Sequence, residues 1–223
     1  LKPPMDRKNN VASDDYSAGD RLPERLQFLF SNKVFIPLFG AFTLCGFTTA
    51  GVIDVYFVPY AISSGYTLVE ASTAYGIHGV GNLIGVILFS WLADQVNRPR
   101  LLALMFFLRA LTFILLIFIS TDLNLMFAFA VIFGVLNFAT FPVIANIVAT
   151  HIGVGIIGLT LGLLFGGHSL GAAVGAFIGG WIFDLTAQHL WIWWLSFFLA
   201  ILAGSFALLV KENRLTQERT SPA

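Results

Sequence analysis

"FSWLADQVNRPR", Phe89 to Arg100, places one acid and two arginines between two of the most apolar stretches of the chain, "GNLIGVIL" before it and "LLALMFF" after it. A short polar break between long apolar segments is what a chain needs where it turns back at a bilayer surface, because charged side chains are costly inside hydrocarbon. Outward from this break, six apolar windows are each long enough to cross a hydrocarbon core of roughly 30 Å. They run from about Val34 to Ile62, Leu68 to Ala93, Leu101 to Ile119, Asn124 to Ala149, Gly155 to Phe183 and Leu190 to Val210. The links between them, "SSGYT", "DQVNRPR", "STDL", "THIG" and "DLTAQH", are short and polar. The sequence therefore predicts an all-α polytopic membrane protein, with a linker over residues 1–33, a six-helix bundle over 34–210 and a tail over 211–223.

Composition agrees. Of 223 residues, 57% are hydrophobic and 11% charged, whereas soluble domains carry about 25% charged residues. Zero net charge gives no ground for a nucleic-acid partner. Cys45 is the sole cysteine, so no internal disulfide or thiolate cluster is available. Eleven of the twelve basic residues fall on one side if six helices alternate: Lys2, Arg7, Lys8, Arg21, Arg25 and Lys33 before the first, Arg98 and Arg100 after the second, and Lys211, Arg214 and Arg219 after the sixth. The positive-inside bias makes that side cytoplasmic, with both ends of the chain there, in a plasma or inner membrane. Within the linker, "DRLPERLQFLF" has a helix start at Asp20, a proline in the first turn and Leu22, Leu26 and Leu29 roughly on one face, as an amphipathic surface helix would. The opening segment is too polar for a signal peptide, and with no initiator at Leu1 the chain reads as a piece of a longer one.

The six helices fall into two sets of three. The first helix of each set carries glycine followed by proline, Gly46, Gly51 and Pro59 in one and Gly134 and Pro142 in the other. Proline withholds a backbone donor and favours a kink. Second helices are glycine-rich, with Gly76, Gly79, Gly81 and Gly85 in one and the run from Gly155 to Gly180 in the other. Third helices are bulky and read as outer, lipid-facing elements. Three crossings per set make the second set inverted relative to the first, an architecture found in transporters.

The opening stretch resembles the loop signature of the major facilitator superfamily, with Asp94 matching its acid and Arg98 and Arg100 its basic residues; Ser90, Gln95 and Asn97 depart from it. "LGLLFGGHSLGAAVGAFIGGWIFDLT" is similar to the monocarboxylate-transporter-like branch, with Gly167, His168, Gly171, Gly175, Gly179, Asp184 and Thr186 at matching places. The resemblance implies the carboxyl-terminal half of a twelve-helix secondary transporter, with an absent six-helix amino-terminal half as partner. Its substrate would be a small solute, a monocarboxylate or other organic anion taken up with protons.

Candidate residues follow from cost. Asp54, His78, Arg109 and His168 are ionisable at membrane depth. Tyr75, His78 and Asn82 share one helical stripe, and Asn137 and Thr140 share a face beside Pro142. Asp54, Tyr75, His78, Asn82, Asn137, Thr140 and His168 are the predicted substrate or proton path; each also has a plainer reading, an outer-end hydrogen bond for Asp54 and interhelical hydrogen bonds for the histidines. Arg109 is expected to form a buried ion pair or to snorkel. Asp94, Arg98 and Arg100 are the predicted cytoplasmic latch, or else a solvated turn. Gly167, Gly171, Gly175 and Gly179 form three linked G-x-x-x-G steps for close helix packing, static or sliding. No metal-ligand spacing, cofactor loop or nucleophile–base pair is present, so neither an enzyme nor a cofactor is expected. Rival functions are a non-transporting scaffold or accessory subunit and an uncoupled facilitator.

Overall fold

Residues 21–118 and 122–211 are described by a computed structural model. A surface helix α1, Leu22–Ser31, is followed by six helices long and apolar enough to cross a membrane: α2 Phe35–Ser63, α3 Leu68–Ala93, α4 Arg98–Phe118, α5 Leu123–His151, α6 Val154–Thr186 and α7 Leu190–Leu209. The sequence windows match these edges closely; the largest shift is three residues, at Arg98 and Thr186. Of the predicted linker only residues 21–33 are described, and of the tail only Lys211.

Turns are set by a few local groups. Thr67 and Glu70 close a capping box before α3: Glu70 N donates to Thr67 Oγ1 at 3.2 Å and Thr67 N donates to Glu70 Oε2 at 2.8 Å. Asp122 accepts from Asn124 N at 2.8 Å at the start of α5. Gly153, at φ 109°, makes the turn into α6. Between α6 and α7, His189 is enclosed by the rings of Tyr56, Tyr60, Phe183 and Trp193, and this burial lowers its pKa below the ordinary imidazole value.

Two of the membrane helices are irregular. In α2, a π-helical stretch, Phe47–Ile53, interrupts the α-helix. Thr48 Oγ1 donates back to Leu44 O at 3.1 Å and Thr49 Oγ1 to Cys45 O at 2.8 Å, taking carbonyls that the ladder would otherwise use. In α5 the break falls at Phe138–Ala139, and a new α-helix starts at Thr140. Pro142 therefore sits in a first turn, where its missing N–H costs nothing.

Packing is crossed between the two sets. The α2 helix lies against α6 and α3 lies against α5, while α4 and α7 pack together; α2 also touches α7 as α5 touches α4. Exchanging the first set for the second leaves this pattern unchanged, as two inverted three-helix repeats require. One motif marks the relation: His78-x-x-Gly81-x-x-x-Gly85 in α3 and His168-x-x-Gly171-x-x-x-Gly175 in α6. A Cβ added to Gly134 would reach His78 Cα at 3.1 Å, and one added to Gly46 would reach His168 Cα at 2.9 Å. Helix backbones touch at both places.

The third helices are not simply outer elements. More than half of the α4 window is buried, whereas α3 and α6 are the least covered of the six. Glycine makes one ridge of α3 and α6 able to pack, but their opposite faces, with Val80, Leu83 and Ile87 on α3 and Leu170, Val174 and Phe177 on α6, stand exposed. Two apolar clusters fill the bundle. One gathers Leu29, Ala93, Leu101, Ile152 and Val210 at the end that carries the basic residues, and the other gathers Phe57, Ala74, Phe113, Met126 and Trp193. Thr48, Thr49, His78, Arg109, Thr112, Asn137 and Thr140 are buried polar groups at the seam between them.

Candidate functional site

The two irregular stretches face each other across a cavity of about 160 Å³. Cys45, Thr49 and Asp54 line it from α2, Asn137 and Thr140 from α5, and His168 from α6. Phe42, Phe138, Phe141 and Phe165 supply the apolar part of the wall. Irregular backbone at membrane depth is tolerable where it borders such a space, since freed polar groups find partners there. Asp54 opens the α-helix that follows the π stretch. His168 stacks on Phe42 with ring centres 4.7 Å apart.

Four of the residues singled out in the sequence, Asp54, Asn137, Thr140 and His168, thus share one cavity. Tyr75, His78 and Asn82 do not line it; they brace it from α3. The Tyr75 hydroxyl donates to Asp54 Oδ1 at 3.2 Å. Asn137 Nδ2 lies 3.3 Å from His78 Nε2, so an amide donating there leaves the imidazole proton on Nδ1. Asn82 Oδ1 accepts from Phe138 N at 3.3 Å, at the helix break itself.

Arg109 corrects the sequence expectation of an ion pair or snorkelling. Its side chain is wholly buried, and its partners are a thiol and two carbonyls: Nη1 donates to Cys45 Sγ at 2.9 Å, and Nη2 to Leu136 O at 2.6 Å and Asn137 O at 2.9 Å. The guanidinium also lies over Phe106 and Phe133, 5.3 and 5.7 Å from the ring centres. The carbonyls are those released where α5 breaks, so a planar fork from α4 caps the end of a half-helix. A positive charge at a helix C-terminus is favourable electrostatically as well.

At the basic end of the bundle, Asp94 accepts from Asn146 Nδ2 at 3.2 Å, which ties the α3–α4 turn to α5. Arg98 is mostly buried, and its Nε donates to Ala93 O at 3.1 Å. Asn97 Oδ1 accepts from Arg100 N at 3.0 Å. The ridge of Gly167, Gly171, Gly175 and Gly179 is buried against α2: added Cβ atoms would meet Phe39 at 2.6 Å from Gly167 and Phe47 O at 2.6 Å from Gly175. The Tyr56 ring lies over Gly179, and its hydroxyl donates to Ala176 O.

A family model described as Major Facilitator Superfamily matches residues 2–155 and, again, 38–223. The chain belongs to the Major Facilitator Superfamily. Among curated superfamily relatives it is similar to the uncharacterized MFS-type transporter YcxA of Bacillus subtilis, 32% identical over 167 residues, or 73% of this chain and 40% of that protein. It is also similar to monocarboxylate transporter 12 of Mus musculus, 30% identical over 73% of this chain and 35% of that protein. The Danio rerio monocarboxylate transporter 12-B is 28% identical over 78% of this chain and 37% of its own length. The chain spans well under half the length of these relatives. Within this superfamily chain, sequence reading missed Cys45, Thr49, Arg109 and Asn146 as parts of the site and its supports. Arg109 alone carried a signal, its charge at membrane depth; the others are ordinary residues whose partners lie far away in sequence.

Proposed function

We propose that the chain is one half of a secondary active transporter that carries a small organic anion, a monocarboxylate by preference, together with a proton by alternating access. The observation that supports this reading is the cavity between two interrupted helices, with a carboxylate (Asp54) and an imidazole (His168) on one wall. Proton and substrate bound at one site are thermodynamically coupled. The name of the vertebrate relatives, monocarboxylate transporter 12, favours the same substrate class. A second six-helix bundle, on the same or another polypeptide, would cover the exposed faces of α3 and α6, where Gly76, Gly79, Gly158, Gly162 and Gly166 have open space beside them.

In proteoliposomes of the full-length protein, an inward proton gradient is expected to drive uptake of lactate or pyruvate. Asp54→Asn should remove the gradient's effect and with it the proton-linked change in substrate affinity, which at ordinary coupling strengths is about 5- to 150-fold. Wild-type uptake unchanged by an uncoupler would instead identify a facilitator. No uptake of any small solute would leave an accessory subunit as the reading.

Asp94, Arg98 and Arg100 form the latch in this scheme, Asp94 through Asn146 rather than through an arginine. Asn146→Leu removes the amide at this partly solvated contact, worth about 1 kcal/mol. Turnover is expected to change several-fold while membrane insertion is unaffected. Wild-type turnover in both Asn146→Leu and Asp94→Lys would dismiss the latch.

A further inference from the structure

At the basic end of the bundle, α1, the link into α2, the end of α5 and the chain just past α7 line an open recess of about 400 Å³. Lys33, Lys211 and His151 line it, and no carboxylate does among the described residues. We propose that this recess binds the phosphate group of an anionic phospholipid at the cytoplasmic face.

Two independent features point to an anion. Lys33 and Lys211 bring two ammonium groups to the recess from the two ends of the six-helix bundle. His151 is the second. Its Nδ1 lies 2.9 Å from Thr150 Oγ1 and 3.1 Å from Ile147 O, and its Nε2 is buried with no hydrogen-bond partner. A buried polar atom left unpartnered is unfavourable. A phosphate oxygen placed in the recess accepts from the lysines and, in the tautomer that carries its proton there, from His151 Nε2–H.

The surroundings favour a lipid over a soluble phosphate. Phe28 and Val34 give the recess an apolar side suited to a glycerol backbone. Leu22 and Phe30 on α1 and Ile36 in the first turn of α2 are exposed, so the elements that build the recess also carry apolar side chains fit for the acyl region. The site is separate from the cavity between α2 and α5, and it stands whether or not the solute is a monocarboxylate.

The test uses full-length protein in a neutral detergent and follows its melting temperature on addition of dioctanoyl phosphatidylglycerol, dioctanoyl phosphatidylcholine or inorganic phosphate. Phosphatidylglycerol is expected to raise the melting temperature saturably. The concentration needed should increase about 25-fold in the Lys33→Gln/Lys211→Gln variant, about fivefold for each lysine, and stay close to wild type in Lys33→Arg/Lys211→Arg. Should the double glutamine variant fold poorly, Lys33→Gln alone carries the test, with about a fivefold increase expected. Saturation by inorganic phosphate at the same concentrations, lost in the same variants, supports the phosphate site and assigns its occupant to solution. Equal stabilisation by phosphatidylcholine, or an unchanged phosphatidylglycerol response in the glutamine variants, overturns the proposal.

Discussion

Gly46→Ala is expected to lower the melting temperature of the full-length protein by about 2–4 °C and to suppress its insertion as a folded species. The added methyl would sit 2.7 Å from the His168 carbonyl carbon and 2.9 Å from its Cα, and both belong to backbone that no rotamer change can move. The α2 and α6 helices must separate, and a gap of even 0.5–1 Å forfeits roughly a quarter to a half of each dispersion contact along the seam. Overpacking of this kind costs about 3 kcal/mol at the upper end of its usual range, and a full-length protein of about twice this chain's size shifts by about 1–2 °C per kcal/mol. Opposing it is the gain in helix propensity from glycine to alanine, about 1 kcal/mol, which leaves a net cost of about 2 kcal/mol and the stated shift. A Gly46→Ala protein that melts with the wild type would disprove the close approach of α2 and α6.

Arg109→Lys is expected to be more damaging than Arg109→Met, although lysine keeps the charge. The guanidinium serves Cys45 Sγ, Leu136 O and Asn137 O from one plane. A lysine ammonium is a compact point donor that cannot span the same three acceptors, yet it carries the full cost of burying a charge. Hydrogen bonds to charged groups are worth about 1.5–3 kcal/mol each, so losing two of three costs roughly 3–6 kcal/mol. Methionine leaves Leu136 O without the guanidinium, at about 1–3 kcal/mol, while Asn137 O keeps the Thr140 hydroxyl at 3.0 Å; it also removes the desolvation of the charge and fills the space among Phe106 and Phe133 with a flexible apolar chain. Thermal melting of the three proteins should rank wild type above Met and Met above Lys. A lysine variant as stable as wild type would show that the charge matters and the fork does not.

The fold was legible because its signals are local. Twenty-residue windows of apolar side chains and short polar links fix six helices, and the basic residues before the first, after the second and after the sixth fix which ends lie together. The crossed packing was half legible, in the repeated His-x-x-Gly-x-x-x-Gly, since a carbonyl facing a glycine needs the same small residues in both repeats. The site was harder to read. Asp54, Asn137, Thr140 and His168 were found because polar groups at membrane depth are rare. The break at Phe138 depends on partners supplied from other helices, and the π stretch at Phe47–Ile53 on the Thr48 and Thr49 hydroxyls bonding back to Leu44 O and Cys45 O, which the sequence does not distinguish from other membrane threonines. Proline pointed to the right helices and the wrong residues: the irregular backbone precedes Pro59 by six positions and Pro142 by three. Arg109 was misjudged for the same reason. Its acceptors are carbonyls 27 and 28 residues away, exposed only once α5 has broken.

The exchange of partners between α2 and α6, and between α3 and α5, bears on how the protein is made. A nascent chain that has emerged only as far as Phe118 holds α2 and α3 without either of their mates, so its first three spans must wait in the bilayer, glycine edges bare, until α5 and α6 are synthesised. The six helices amount to an interlocked antiparallel dimer of trios joined head to tail. Separate synthesis of the two trios should give a working bundle only when both are present together.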